Sequence, residues 1–88
     1  MFELKFIGRT IDNRKVVDGF TVFKLIDTYG FPLADIVFEC QLRNYLIDWY
    51  NFIIICTWQK ETLISRIKDT ELKNKDIVIK RIENLWEK

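Results

Sequence analysis

The stretch Asp18-Gly19-Phe20-Thr21-Val22-Phe23-Lys24-Leu25-Ile26-Asp27-Thr28-Tyr29-Gly30-Phe31-Pro32-Leu33 contains a helix start, a helix stop and a second start within sixteen residues. Asp18 suits an N-cap, because its carboxylate can accept from backbone N–H groups of the first turn. Phe20, Phe23, Ile26 and Tyr29, with Val22 and Leu25 beside them, then follow a helical spacing. Gly30 ends that helix at the position where a left-handed residue is usual. Pro32 opens the next one, since its fixed φ suits a first turn and its missing N–H is not needed there. Leu33, Ile36, Val37 and Cys40 supply the second buried stripe. With about three residues between them, the two helices are expected to cross steeply, and Gly30, Phe31 and Pro32 form the structural joint.

Upstream, Phe2, Leu4 and Phe6 alternate with Glu3 and Lys5, which is a strand pattern. A turn at Asp12-Asn13 would return Arg14–Val17 as a second strand. A helix through Leu4, Ile7 and Ile11 also fits; residues 1–17 are read as a hairpin or an irregular stretch. Downstream, Asn44 and Tyr45 break the second helix and Asp48 is the next cap. Trp49, Phe52, Ile53 and Cys56 recur on one helical face, although the β-branched and aromatic content of 50–58 favours a strand. Leu63, Ile64 and Ile67 indicate a continuing or new helix to about Leu72. Lys73-Asn74-Lys75 is a turn, and Asp76 caps a last helix carrying Val78, Ile82, Leu85 and Trp86. The expectation is one mostly α domain over 1–88, with about four helices in 18–88.

Composition narrows the function classes. Thirteen of 88 residues are aromatic and 49% are hydrophobic, enough apolar surface for a dense core in a small chain. The formal net charge is +1, so no partner follows from total charge. Lysine and arginine concentrate towards both ends, around an acidic centre containing Asp27, Asp35, Glu39 and Asp48. With no histidine and only Cys40 and Cys56, a side-chain zinc site lacks ligands. A Ser–His or Cys–His pair cannot be built. Gly8, Gly19 and Gly30 are too scattered for a phosphate loop. No catalytic residue, metal ligand or cofactor is assigned. The apolar run 45–58 is too short to span a bilayer, and the N-terminus has no signal layout. The expected compartment is the cytoplasm, with both thiols reduced.

The run from Val22 to Leu33 resembles a stretch of alanyl-tRNA synthetase, A-F-(K/R)-L-Y-D-T-Y-G-F-P-(L/V)-D-L-T. Asp27–Pro32 matches without a break, with Phe23 and Leu25 in register. Ile47-Asp48, Phe52, Cys56 and Gln59 fall at the spacing of the family's V-D-x-x-x-F-x-x-x-M-x-x-Q, and Gly8-Arg9-Thr10-Ile11 weakly resembles its R-T-L segment. The likeness covers about 18–60. It implies a helical segment that follows the catalytic core and helps hold the tRNA acceptor stem, and it tips Asp48–Gln59 towards helix. Two departures stand out: Ala34 replaces the family's second Asp, and Ile26 replaces its Tyr. The class II motifs and the His and Cys ligands of the editing site are absent, which implies that this chain alone neither aminoacylates nor edits.

Two functions from different classes follow. One is a non-catalytic module that binds tRNA or modulates a synthetase, of the sort carried as an accessory protein by a phage or mobile element. For it, Asp27 would accept from a guanine amino group and Tyr29 would stack on a base, with Lys73, Lys75 and Lys80 on phosphates. The competing assignments are a backbone bond for Asp27, a packed ring for Tyr29 and ordinary solvated lysines. The other function is protein interaction or homo-oligomerisation through Trp49 and Trp58, which core packing would equally explain.

Overall fold

The computed structural model describes residues 4–86. Two strands, β1 (Phe6–Arg9) and β2 (Lys15–Val17), pair antiparallel, so the hairpin reading of residues 1–17 holds. Its first strand begins at Phe6; Phe2 and Glu3 lie outside the described residues. A bulge between Phe6 and Gly8 shifts the register, leaving Phe6 opposite Val17 and Arg9 opposite Lys15. Asn13 turns the chain at φ 67°, in the left-handed region that Asn tolerates.

Asp18 caps α1 (Gly19–Asp27), accepting from the Phe20 amide and the Thr21 hydroxyl. The buried face of α1 is Gly19, Val22, Phe23 and Leu25. Phe20 and Tyr29 stay largely exposed, a correction to the expected stripe: the helix is rotated so that Val22 and Leu25 face inwards. Gly30 has φ 74° and its amide donates to the Ile26 carbonyl at 3.1 Å, the five-to-one bond of a left-handed helix cap. Pro32 stands one place earlier than expected. It is the cap residue of α2 (Leu33–Leu42), and Leu33, Ile36, Val37 and Cys40 are all buried.

The joint separates its two helices more than it crosses them. α1 packs chiefly on α3 (Trp49–Ile55), whereas α2 packs on α4 (Lys60–Lys68) and β3 (Leu46–Ile47). Five residues, 28–32, lie between α1 and α2, which lets each find another partner.

Asn44 closes α2 at φ 61°, with the Asn44 amide donating to Gln41 and the Tyr45 amide to Cys40. That pair of bonds is the Schellman closure. It turns the chain directly into β3, which pairs parallel with β2 through Val16–Leu46 and Val17–Ile47. The sheet order is therefore β1-β2-β3, with fully buried Val17 in the central strand.

Asp48 caps α3 by accepting from the Asn51 amide at 3.2 Å. The expected Asp48–Gln59 helix stops at Ile55, because Cys56 is extended. Thr57-Trp58-Gln59 instead swings Trp58 back onto Phe23 and Phe52, with ring centroids 5.8 and 6.0 Å apart. Consequently α4 is a new helix, and five helices among the described residues replace the expected four or so. The last, α5 (Lys75–Leu85), starts at left-handed Asn74, so Asp76 sits inside its first turn and is not its cap. Ile79 and Ile82 are its buried pair, while Val78, Leu85 and Trp86 are half-covered.

Phe52 is the hub of the core. It is fully buried and meets Phe23, Trp49 and Trp58 edge to face, an arrangement favoured by the ring quadrupoles. The start of α1 lies directly over it. A Cβ placed on Gly19 would come closer than 3.0 Å to the Asp48 carbonyl oxygen and the Phe52 amide nitrogen.

Candidate functional site

Asp27 and Tyr29 sit on the exposed shoulder of the joint. Tyr29 is 62% exposed, so it does not pack into a helix crossing as an aromatic before a C′ glycine commonly would. Its ring is held out because Leu25 and Ile26, one turn back, take the inward positions. Asp27 is also exposed, and its carboxylate bonds no group among the described residues, backbone included. Phe31 is half-buried beneath the joint and Pro32 is exposed.

The lysines lie elsewhere. Gln41 of α2 bridges to the 71–73 loop, its side chain donating to the Glu71 carbonyl and accepting from the Lys73 amide. This fixes Lys73 beside the C-terminal end of α2, whereas the joint adjoins the N-terminal end. Leu33 and Gln41 are eight residues apart, about 12 Å along a helix axis. The two groups assigned to RNA therefore form two surfaces and do not converge on one point. Lys75 is the least available of its group, because its ammonium donates to the Lys68 carbonyl at 2.9 Å and closes the end of α4. Lys73 and Lys80 are exposed.

Trp49 is 7% exposed and packs on Phe52 with centroids 5.5 Å apart. Trp58 is half-buried, and the Arg66 guanidinium covers its ring at 4.2 Å from the centroid. Neither indole is an open patch on the isolated chain. Trp49 does border a groove of about 420 Å³ between α2, β3 and α5, floored by Val37, Cys40, Ile47 and Val78 and rimmed by Lys73 and Arg81. Beside it Tyr50, Ile54 and Ile77 are more than half exposed.

The groove offers little chemistry. Burial, reinforced by neighbouring Glu39 and only partly offset by Arg43, pushes the Cys40 thiol up to about 11. It stays a protonated, weak nucleophile near neutral pH. Cys56 is buried as well. Among the described residues no three His, Cys, Asp or Glu side chains gather where they could hold a metal. No described helix is long and apolar enough to cross a membrane.

One cluster escaped the sequence reading. Phe6 and Tyr45 meet edge to face at 4.9 Å, and the Lys15 ammonium lies 4.9 Å from the first ring and 5.9 Å from the second. The signal was hidden because Tyr45 is placed by the β3 that follows it, a strand of two residues whose partner lies thirty positions away.

Comparison with known proteins agrees with the joint's sequence. Alanine–tRNA ligase (alanyl-tRNA synthetase) of Buchnera aphidicola is 37% identical over 65 residues, which is 74% of this chain and 7% of the ligase. The ligase of Ruthia magnifica is 46% identical over 52 residues, 56% of the chain and 6% of the ligase. That of Shewanella amazonensis is 50% identical over 36 residues, 41% of the chain and 4% of the ligase. The chain thus spans less than a tenth of the length of the relatives it matches. No family model matches it, and no solved structure does. Taken with the cap, stop and start of the joint, these matches make the greater part of this chain a segment resembling one short region of alanine–tRNA ligase.

Proposed function

We propose that this chain is a non-catalytic helical module that binds structured RNA, tRNA foremost, in the cytoplasm. The observation that carries the reading is the likeness to a ligase segment coinciding with an exposed, unpartnered Asp27 and an exposed Tyr29 at the matched joint. Asp27 supplies an acceptor for a base amino group, and Tyr29 supplies a stacking face. Lys73 and Lys80 supply charge for phosphates about one α2 length away. Modulating a synthetase by competing for the same acceptor stem would follow from such binding, as would service as an accessory protein of a phage.

Titration of labelled tRNA at low salt tests this. Binding at tens of micromolar or tighter is expected, weakening as salt rises because phosphate contacts release counterions. Tyr29→Ser is expected to weaken it with little loss of stability, since Tyr29 is 62% exposed. No binding of wild-type protein in that range overturns the proposal.

A second reading, a protein-interaction or self-association module, is favoured by the groove beside Trp49 and by exposed Tyr50, Ile54 and Ile77. Light scattering decides it. A dimer that dissociates on Ile77→Lys supports this reading, and a monomer at every concentration removes self-association.

A further inference from the structure

We propose that the corner formed by Phe6, Tyr45, Lys15 and Arg9 on the hairpin is a binding site for an unpaired nucleotide of RNA, the rings taking the base and the cations its phosphates. The inference rests on the RNA reading above and assigns it a surface that neither the joint nor the lysine loop provides.

Three observations converge. The first is electrostatic: Arg9 and Lys15 are directly opposed across the β1–β2 ladder. Like charges in that position destabilise a sheet. Among the described residues no carboxylate forms an ion pair with either. Among the described residues Arg9 reaches only Asn13, and Lys15 only the two rings. Asp12, in the hairpin turn, accepts from the Thr10 hydroxyl and feels the charge of Arg14. Arg14 bonds the Asn44 carbonyl next to Tyr45, and its charge is partly offset by Asp12. Residues 6–17 thus carry Arg9, Arg14 and Lys15 against Asp12 alone, a net positive hairpin that fits an anionic partner.

The second observation is the corner itself. Phe6 and Tyr45 stand at 77° to each other, and the Lys15 ammonium lies against both. Such a cation is readily exchanged: it can leave the rings for a phosphate oxygen, a stronger charge-assisted partner, and a base can occupy the vacated face. The third is placement. The Lys15 ammonium lies against both rings, Arg9 stands opposite Lys15 on the ladder, and Phe6 is 40% exposed. An acidic peptide adding to the sheet would pair along the β1 edge through backbone bonds and would have no use for this corner. A nucleotide, with a π-face beside a phosphate, matches it.

The experiment compares a labelled RNA hairpin carrying a short single-stranded tail with the same hairpin left blunt, using the whole chain at low salt. The tailed RNA is expected to bind about tenfold tighter, the scale of one stacked base. Lys15→Glu should abolish that preference and reduce the salt slope by about one. Its melting temperature should stay close to wild type, because the new carboxylate opposite Arg9 offsets the lost cation contacts with Phe6 and Tyr45, so lost binding cannot be blamed on unfolding. Phe6→Leu should also lose the preference while keeping an apolar contact with Tyr45. If wild type binds RNA but Lys15→Glu binds both probes unchanged, the hairpin site is overturned and RNA binding stands. If wild type binds tailed and blunt RNA equally, the nucleotide assignment fails. Polyglutamate binding as tightly as the tailed RNA would likewise overturn it in favour of a non-specific anion surface. No RNA binding at all overturns both proposals.

Discussion

Two glycines bracket α1, and each is required for a different physical reason. Gly30 follows the helix at φ 74°, with open space where a side chain would go. Its requirement is torsional. Gly19 begins the helix without a positive φ, but the backbone of α3 occupies the space its Cβ would need. Its requirement is steric and belongs to tertiary packing. The first kind is written in local sequence, as a glycine between a helical stripe and a proline. The second is invisible until the start of α1 is laid across Asp48 and Phe52. The more conspicuous glycine in the sequence is the less consequential one for the core.

The largest expected effect breaks or confirms that contrast. Gly19→Ala should cost about 3 kcal/mol, the upper end of overpacking effects because rigid backbone is in the way, and lower the melting temperature by roughly 12 °C or more. Thermal melts in which this variant matches wild type would show that α1 does not lie on α3 as described. Gly30→Val should cost less, about 1–2 kcal/mol, since only left-handed strain is involved. An unchanged melting temperature there would remove the left-handed assignment, and a loss greater than that of Gly19→Ala would invert the comparison. Asp48→Ala should cost about 1 kcal/mol through the lost α3 cap, measured by urea unfolding; a cost near zero would show that packing beneath Gly19 holds α3 without its cap.

The smallest effect is silent at neutral pH. Cys40 has its folded value raised from 9.0 to about 11 by burial, so the folded state prefers the neutral thiol. Its contribution is complete below pH 9 and is lost as pH rises towards 11. The stability gap between wild type and Cys40→Ala should therefore shift against wild type across that window, and a gap independent of pH would mean that the thiol is not desolvated.

Most local signals in the sequence read true, Asp76 inside the first turn of α5 being an exception. Asp18 and Asp48 both cap helices, Gly30 is left-handed, and the four residues of the α2 stripe are all buried. What local signals miss are features set by distant neighbours. β3 has only two residues and exists because β2 offers an edge. α3 ends early because Trp58 gains more by closing over Phe52 than by continuing the helix. Phe20 and Tyr29 fit the helical period of α1 yet face solvent, because period fixes a face only when the residue across from it is known. The candidate site divides in the same way. Asp27 and Tyr29 are readable from the joint. The Phe6–Tyr45 corner is not, since three separate segments build it.

Fluorescence anisotropy of labelled tRNA across a salt series decides whether this ligase-like segment binds RNA. Saturable binding at tens of micromolar or tighter is expected, with log affinity falling linearly against log salt. An anisotropy that stays flat throughout that range at low salt would contradict it.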